Sequence, residues 1–285
     1  MAARQAPTDR RPLWAVVAAL CFAVAAVAAV ALSHRRAAVK PRPVVRVVIP
    51  EGFDRNQIAE LAKADGILGN YLEAAAKPPP FFNPAAYGAP ANIPNLEGFL
   101  FPATYDLYAG ARASELVAKQ LEAFRERFGP AQVAAAHALG LTPYQLLIVA
   151  SMVEKEAGTA ADRPLIAAVI YNRLQRGMPL GIDATIRYAL NDLSGPLTEA
   201  DLHAESPYNT RLHVGLPPTP IANPGMAAIE AAAHPAHVPY LYYVASPTGC
   251  GESVFAVTYE EFERDVEAYN RAVAGNGGKP PVCRR

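Results

Sequence analysis

Between residues 143 and 157 apolar side chains recur at positions 146, 147, 150, 153 and 157. Steps of three and four predict a helix with one face in a core. Thr142, Pro143 at the first helical position and Gln145 form a capping-box start for it. Near its end, "VEKE" places Glu154 four residues after Ala150 and seven after Leu147, at the edge of the apolar face. Glu156 lies about 200° further round and is expected to point away.

The pattern upstream is shorter in period. Val44 to Ile49 is β-branched and reads as a strand, Pro50-Glu51-Gly52 as a turn, and Asp54 as the N-cap of a short helix with Ile58 and Leu61 on one face. This suggests a small α/β module. Residues 78–95, rich in Pro, Asn and Ala, read as a loop, and residues 96–108 ("LEGFLFPATYDLY") as extended, aromatic structure. Helices are expected at about 113–128, at 164–177 with Gly177 as its cap, and at 226–233. The chain between the last two reads as loop-rich. "PYLYYVAS" and "SVFAV" alternate as strands, which makes the fold class α+β.

Leu13 to Leu32 is a different kind of segment: 20 residues without a charge, with Arg10 and Arg11 before it and Arg35 and Arg36 after. At about 1.5 Å per residue it matches a hydrocarbon core of about 30 Å and reads as a transmembrane helix. Ala29-Val30-Ala31 has the small-x-small form of a cleavage site, but the apolar run exceeds a signal core of about 7–15 residues, so a retained anchor is the preferred reading. With arginines on both flanks, orientation must come from chemistry.

Composition narrows the function. The 285 residues carry zero formal net charge with a pI near 7.0, which gives no general pull on nucleic acid. The 27 prolines are roughly twice the average frequency and favour loops. Three cysteines are too few for a disulfide framework; Cys250 and Cys283, if in an oxidising compartment, could bridge and restrain the unfolded chain by about 3–4 kcal/mol. His234 and His237 are separated by Pro235 and adjoin no carboxylate motif, so neither a metal nor another cofactor is expected. No G-x-S-x-G elbow and no G-x-x-x-x-G-K-[ST] loop occurs. That leaves Glu154: a carboxyl held against apolar side chains has a raised pKa and suits a general acid, whereas a glutamate turned to water and paired with a cation would do nothing.

"ASMVEKEAG", "VIYNRLQRGMPL", "DATIRYAL", "SPYNTRLHVGLPPTPIANPG" and "AAAHPAHVPYLYYVA", preceded in register by "VVIPEGF" and "LEGFLFPATY", resemble the MltG/YceG-like endolytic murein transglycosylases over about residues 44 to 270. The resemblance implies a cytoplasmic tail (1–12), a transmembrane helix (13–32), a linker (33–43), a LysM-like α/β module with its loop (44–108), a mixed α+β catalytic domain (109–270) and a tail (271–285). It also implies a single-pass protein of the bacterial inner membrane with the catalytic domain outside the cytoplasm, acting on peptidoglycan glycan strands beside peptidoglycan synthases. The implied reaction cleaves the β-1,4 bond between N-acetylmuramic acid and N-acetylglucosamine and leaves 1,6-anhydro ends. By the same resemblance Glu154 is the acid/base, and Asp183, Thr185, Tyr208, Asn209 and Thr210 grip the glycan or position that acid. Glu154→Gln is then expected to lose activity and Glu156→Gln to keep it. Ala103, Ala184, Ser253 and Phe262 depart from the family pattern, where Asp, Pro and two histidines are usual. A hydrolase with Asp183 or Glu156 as second carboxylate, and an idle membrane-tethered glycan-binding scaffold, are the competing readings.

Overall fold

The computed structural model describes residues 13–33, 42–192 and 195–283, so the expected cytoplasmic tail and linker residues 34–41 lie outside it. The chain divides into two compact units, Met1–Pro43 and Val44–Arg285. In the first, α1 (Leu13–Ser33) exposes apolar side chains such as Trp14 and Phe22. Among the described residues no single helix is long and apolar enough to cross a membrane; Trp14–Ala29 is a shorter apolar helix.

The second unit opens with β1 (Val44–Val48), followed by α2 (Arg55–Ala64), α3 (Tyr71–Ala74), a 3₁₀ turn at Pro84–Tyr87, and β2 (Thr104–Tyr108). β1 and β2 pair antiparallel, Val44 opposite Tyr108, and bury Val47, Tyr105 and Leu107 on one face. Gly52 turns the chain between β1 and α2 at φ 76°, which a side chain would resist. Asp54 caps α2 as expected: its carboxylate accepts from Gln57 N–H at 2.9 Å, and the Gln57 side chain accepts from Asp54 N–H at 3.1 Å.

Next come α4 (Ala113–Arg127), α5 (Pro130–Ala138), α6 (Pro143–Glu156) and α7 (Asp162–Gln175). They are followed by α8 (Asp183–Leu190), α9 (Glu199–Leu202), α10 (Met226–Ala233), a second antiparallel pair of β3 (Tyr242–Ala245) and β4 (Ser253–Ala256), and α11 (Tyr259–Gly275). Thr142 and Gln145 make the expected capping box on α6. α5, α8, α9 and α11 were not expected. α5 is a short alanine-rich run, and α8 is an eight-residue piece in a glycine- and proline-rich stretch. α11 crosses the expected boundary at residue 270, although Thr258 and Glu261 form a capping box at its start.

α6 is more enclosed than the expected single core-facing side. Tyr144 and every residue from Leu146 to Val153 are buried, because α5, α7, α8 and α10 surround the helix. The enclosure ends at Val153: Lys155 is exposed, and Glu156 is partly buried and turns away from Glu154, as its position on the helix predicts. Residues 96–103 also differ from expectation: they turn rather than extend, because Leu96, Phe99 and Leu100 are all drawn into the core. Phe99 stacks on Tyr144 of α6 at 5.6 Å and meets Phe124 of α4 edge-on at 5.2 Å. Such pairs add roughly 0.5–1.5 kcal/mol to area burial. The expected module boundary at 108/109 therefore falls inside one continuous core.

Asn223 sets the turn geometry. Its side-chain oxygen accepts from Gly98 N–H at 2.8 Å and Leu100 N–H at 3.0 Å, and its amide nitrogen donates to Phe53 O at 2.9 Å and Glu97 Oε1 at 2.7 Å. The fully buried Glu97 also accepts from Arg55 N–H and the Tyr188 hydroxyl, both at 3.2 Å. Burial pushes its carboxyl up to about 8, against the opposing pull of Arg55. A raised folded-state pKa means that the native state holds the proton more tightly. Stability from this group is complete below about pH 4.5 and declines as pH rises to about 8, by up to ~1.4 kcal/mol per pH unit. Glu97→Gln, which cannot ionise, should lack that slope. Urea midpoints at about pH 5 and about pH 8 check this, and equal slopes in the two proteins would exclude Glu97 as its source.

Candidate active site

The end of α6 carries two carboxylates that diverge. Glu154 Oε2 accepts from Gly225 N–H at 3.0 Å, at the N-terminus of α10, where the helix dipole favours an anion. Gly225 is packed so closely against Glu51 that a Cβ there would run into its carboxylate. Burial raises the Glu154 pKa, and the Gly225 hydrogen bond opposes that rise. Beside it, Lys155 Nζ donates to Gly52 O at 3.3 Å, so this side of α6 is fastened to the β1–α2 turn.

Glu156 goes the other way, into open space. It lines a cleft of about 350 Å³ with Gly158, Tyr243, Glu252, Tyr269 and Pro281. It also lines a cleft of about 550 Å³ with Arg173, Asp183, Arg211, Tyr259 and Phe262. The two clefts share Glu156, Tyr243 and Val244; Glu154 lines neither. The Tyr243 hydroxyl donates to Glu156 Oε2 at 3.0 Å. Burial raises the Glu156 pKa; Tyr243 opposes this most, Asp183 adds to it, and the Ala184 N–H and Arg211 oppose it more weakly. Ala184 stands where the family pattern has proline, which would have no N–H to donate. A carboxyl pushed toward its neutral form, yet supplied with donors for its charged form, can give up and regain a proton.

The expected binding residues fall into two groups. Asp183 faces the larger cleft, half-exposed, and is clamped by Arg211 Nη2 at 2.6 Å. Thr185, Asn209 and Thr210 are buried and spent on the scaffold, and so are not placed to grip a glycan. Thr210 Oγ1 accepts from Ile182 N–H at 3.0 Å and lies 3.1 Å from Thr185 Oγ1, whose hydroxyl donates to Ile182 O at 2.7 Å. Asn209 Nδ2 donates to Leu202 O and Ala204 O, both at 3.0 Å. Tyr208, partly buried, packs on Tyr188 at 5.1 Å and its hydroxyl pairs with Thr219 at 2.8 Å. Thr185 and Thr210 thus fix the first turn of α8, which carries Asp183 and Ala184, and Asn209 ties its loop to the end of α9.

Arg173, Arg211, Tyr243 and the aromatic shelf were not singled out in the sequence. Arg173 Nε donates to Leu241 O and Nη1 to Leu180 O, both at 2.6 Å, joining α7 to the strand and loop that wall the larger cleft. Phe262, at a position of family departure, stacks on Tyr242 at 5.4 Å beside exposed Tyr259. Ser253, another departure, donates its N–H to Asp162 Oδ2 at 3.1 Å. Arg211 directly follows the Tyr208–Thr210 block, the one signal that pointed to it. Among the described residues no group of three or more His, Cys, Asp or Glu side chains is arranged to hold a metal.

The YceG-like family model matches residues 25–268. The chain belongs to that family. A crystal structure of a YceG-like protein from Listeria monocytogenes superposes with a TM-score of 0.69 at 33% identity, over 78% of this chain and 76% of that one. Two proteins named endolytic murein transglycosylase are similar in sequence. That of Bacillus subtilis is 39% identical over 61% of this chain and 48% of its own length. That of Streptococcus pneumoniae serotype 2 is 33% identical over 77% of this chain and 44% of its own length. The chain thus spans about half the length of the curated relatives it matches.

Thr210→Val keeps the side-chain volume but leaves the buried Ile182 N–H without an acceptor. It should cost about 1–3 kcal/mol, read as a lower urea midpoint, and a variant of unchanged midpoint would show that Thr210 is not part of the scaffold.

Proposed function

We propose that this chain cleaves peptidoglycan glycan strands as a lytic transglycosylase, with Glu156 as the acid/base. The carrying observation is that Glu156 is the carboxyl common to both clefts, with a raised pKa and the Tyr243 hydroxyl on one oxygen. This replaces Glu154, expected from the motif, whose carboxylate is engaged at the start of α10. A strand crossing Glu156 would have sugars on both sides, as cleavage within a strand requires. The shelf of Tyr242, Tyr259 and Phe262, with Asp183 and Arg211 opposite, offers apolar faces for sugar rings and polar groups for their hydroxyl and acetamido substituents.

The chemistry needs one carboxyl. Glu156 protonates the glycosidic oxygen as the C1–O bond breaks. The C6 hydroxyl of the same muramoyl sugar then attacks C1, and the Glu156 carboxylate takes the hydroxyl proton, restoring the acid. Attack within one sugar draws on a high effective molarity, and no water is consumed. A hydrolase would need a second free carboxylate; Asp183 is committed to Arg211. The order β1, α2, α3, β2 is compatible with a LysM-like module that would bind the same polymer, and apolar α1 with a single-pass anchor that leaves the second unit outside the cytoplasm.

Sacculi digested by the purified protein should release fragments ending in 1,6-anhydromuramic acid, seen by mass as the loss of one water relative to a reducing end. Reducing ends instead would make the protein a hydrolase, and no release would leave it a glycan-binding scaffold. Glu156→Gln should lower the rate by about 10²–10⁴ with an unchanged melting temperature. Glu154→Gln should keep its turnover and melt earlier, by the equivalent of about 0.5–2 kcal/mol for a weakened helix N-terminus. An active Glu156→Gln beside an inactive, stable Glu154→Gln would return the role to Glu154.

A further inference from the structure

Cys250 and Cys283 are joined in a disulfide, with Cα atoms 4.5 Å apart, and so close a loop containing β4 and α11. The segment they fasten forms part of the smaller cleft: Pro280 and Pro281 line it, across from Glu156, Tyr243 and Glu252. We propose that this strap, residues 276–283, is the outer wall of the glycan cleft beside Glu156 and sets how tightly a strand is held there. The proposal rests on the reading of that cleft as a glycan site.

The strap is held at three points. At its root, Asn276 Nδ2 donates to Pro280 O at 2.7 Å and Lys279 O at 3.4 Å, which turns the chain back after α11. In the middle, Gly249 receives it: φ is 72°, and a Cβ there would occupy the place of the Pro281 carbonyl. At the far end is the disulfide. The receiving turn is itself ordered, with Ser246 Oγ 2.9 Å from Thr248 Oγ1 and Cys250 N–H donating to Thr248 Oγ1 at 3.4 Å. Among the described residues no hydrogen bond joins residues 281–283 to the β3–β4 turn. The covalent bond therefore holds the outer end of the wall in place, and breaking it lets Pro281 swing out of the cleft about the Asn276–Pro280 root, while the Glu156–Tyr243 pair and α11 stay where they are.

The test is an affinity comparison in the full chain. A tetrasaccharide fragment of peptidoglycan is titrated into Glu156→Gln, which is not expected to cleave it, and into Glu156→Gln carrying Cys250→Ser and Cys283→Ser. Release of the wall should raise Kd by roughly threefold to tenfold. Glu156→Gln treated with dithiothreitol, which passes two electrons and two protons to the bond and leaves two thiols, should show the same loss, and so should deletion of residues 280–285. The reduced protein supplies the comparison if the serine variant melts early. Equal affinity with and without the bond overturns the wall, as does tighter binding once it is broken. Failure of Glu156→Gln to bind the fragment at all overturns it too, because there is then no glycan to wall in. Cleavage of the fragment by Glu156→Gln would instead overturn Glu156 as the acid, with the Kd comparison, made on product-free initial binding, still deciding the wall.

Discussion

A single buried amide, that of Asn223, holds the second unit in register. Its oxygen takes two backbone N–H groups from the turn at residues 98–100, and its nitrogen reaches both the β1–α2 turn and the Glu97 carboxyl. Its own backbone closes a further pair with Gly52 and Phe53. Three segments distant in sequence thus meet at one side chain with its capacity filled. A group so enclosed must be paired completely, since an orphaned amide in a low-dielectric interior is costly. Asn223 sits two residues before Gly225, the first contact of α10, so the same junction fixes where α10 lies against α6. The direction of α6 at Glu156 follows from that packing.

The two glutamates of "VEKE" illustrate how a helix end can divide labour. Both lie where the helix stops and both are pushed toward neutrality by burial. Their surroundings differ in kind. Glu154 meets backbone, the N–H of Gly225 at the start of α10. Glu156 meets a phenol and the start of α8 at the junction of two clefts. A raised pKa is thus common to both carboxyls; they differ in what they meet, a backbone N–H for Glu154 and the lining of two clefts for Glu156.

Much of the architecture could be read from the chain. The capping signals at Asp54 and Thr142 are local, decided by a few residues, and the structure has both. A β-branched run identified β1, and alternation of aromatic and aliphatic residues identified β3 and β4. The divergence of Glu156 from Glu154 was legible on a helical wheel; that Glu156 lines two clefts was not, since their other walls come from segments far along the chain. Thr185, Asn209 and Thr210 looked like ligand contacts because polar groups in loops usually face water; here they are buried and bond backbone groups, Thr185 and Thr210 at Ile182 and Asn209 at Leu202 and Ala204. Arg173 and Tyr243 were hidden for a related reason. Their partners lie 68 and 87 residues away, so their roles exist only after folding.

The complete enclosure of α6 also shapes how this protein would respond to random change. From Leu146 to Val153 any enlargement collides with a neighbouring helix and any reduction leaves a void. Loss of function in a mutational scan would therefore run unbroken into the glutamates that follow, and the residue of chemical importance would not stand out from those that merely fill space. A sequence record of this family would carry the same blur. In the helix that carries both candidate glutamates, intolerance to substitution measures packing first, and turnover per folded molecule is the quantity that separates the two.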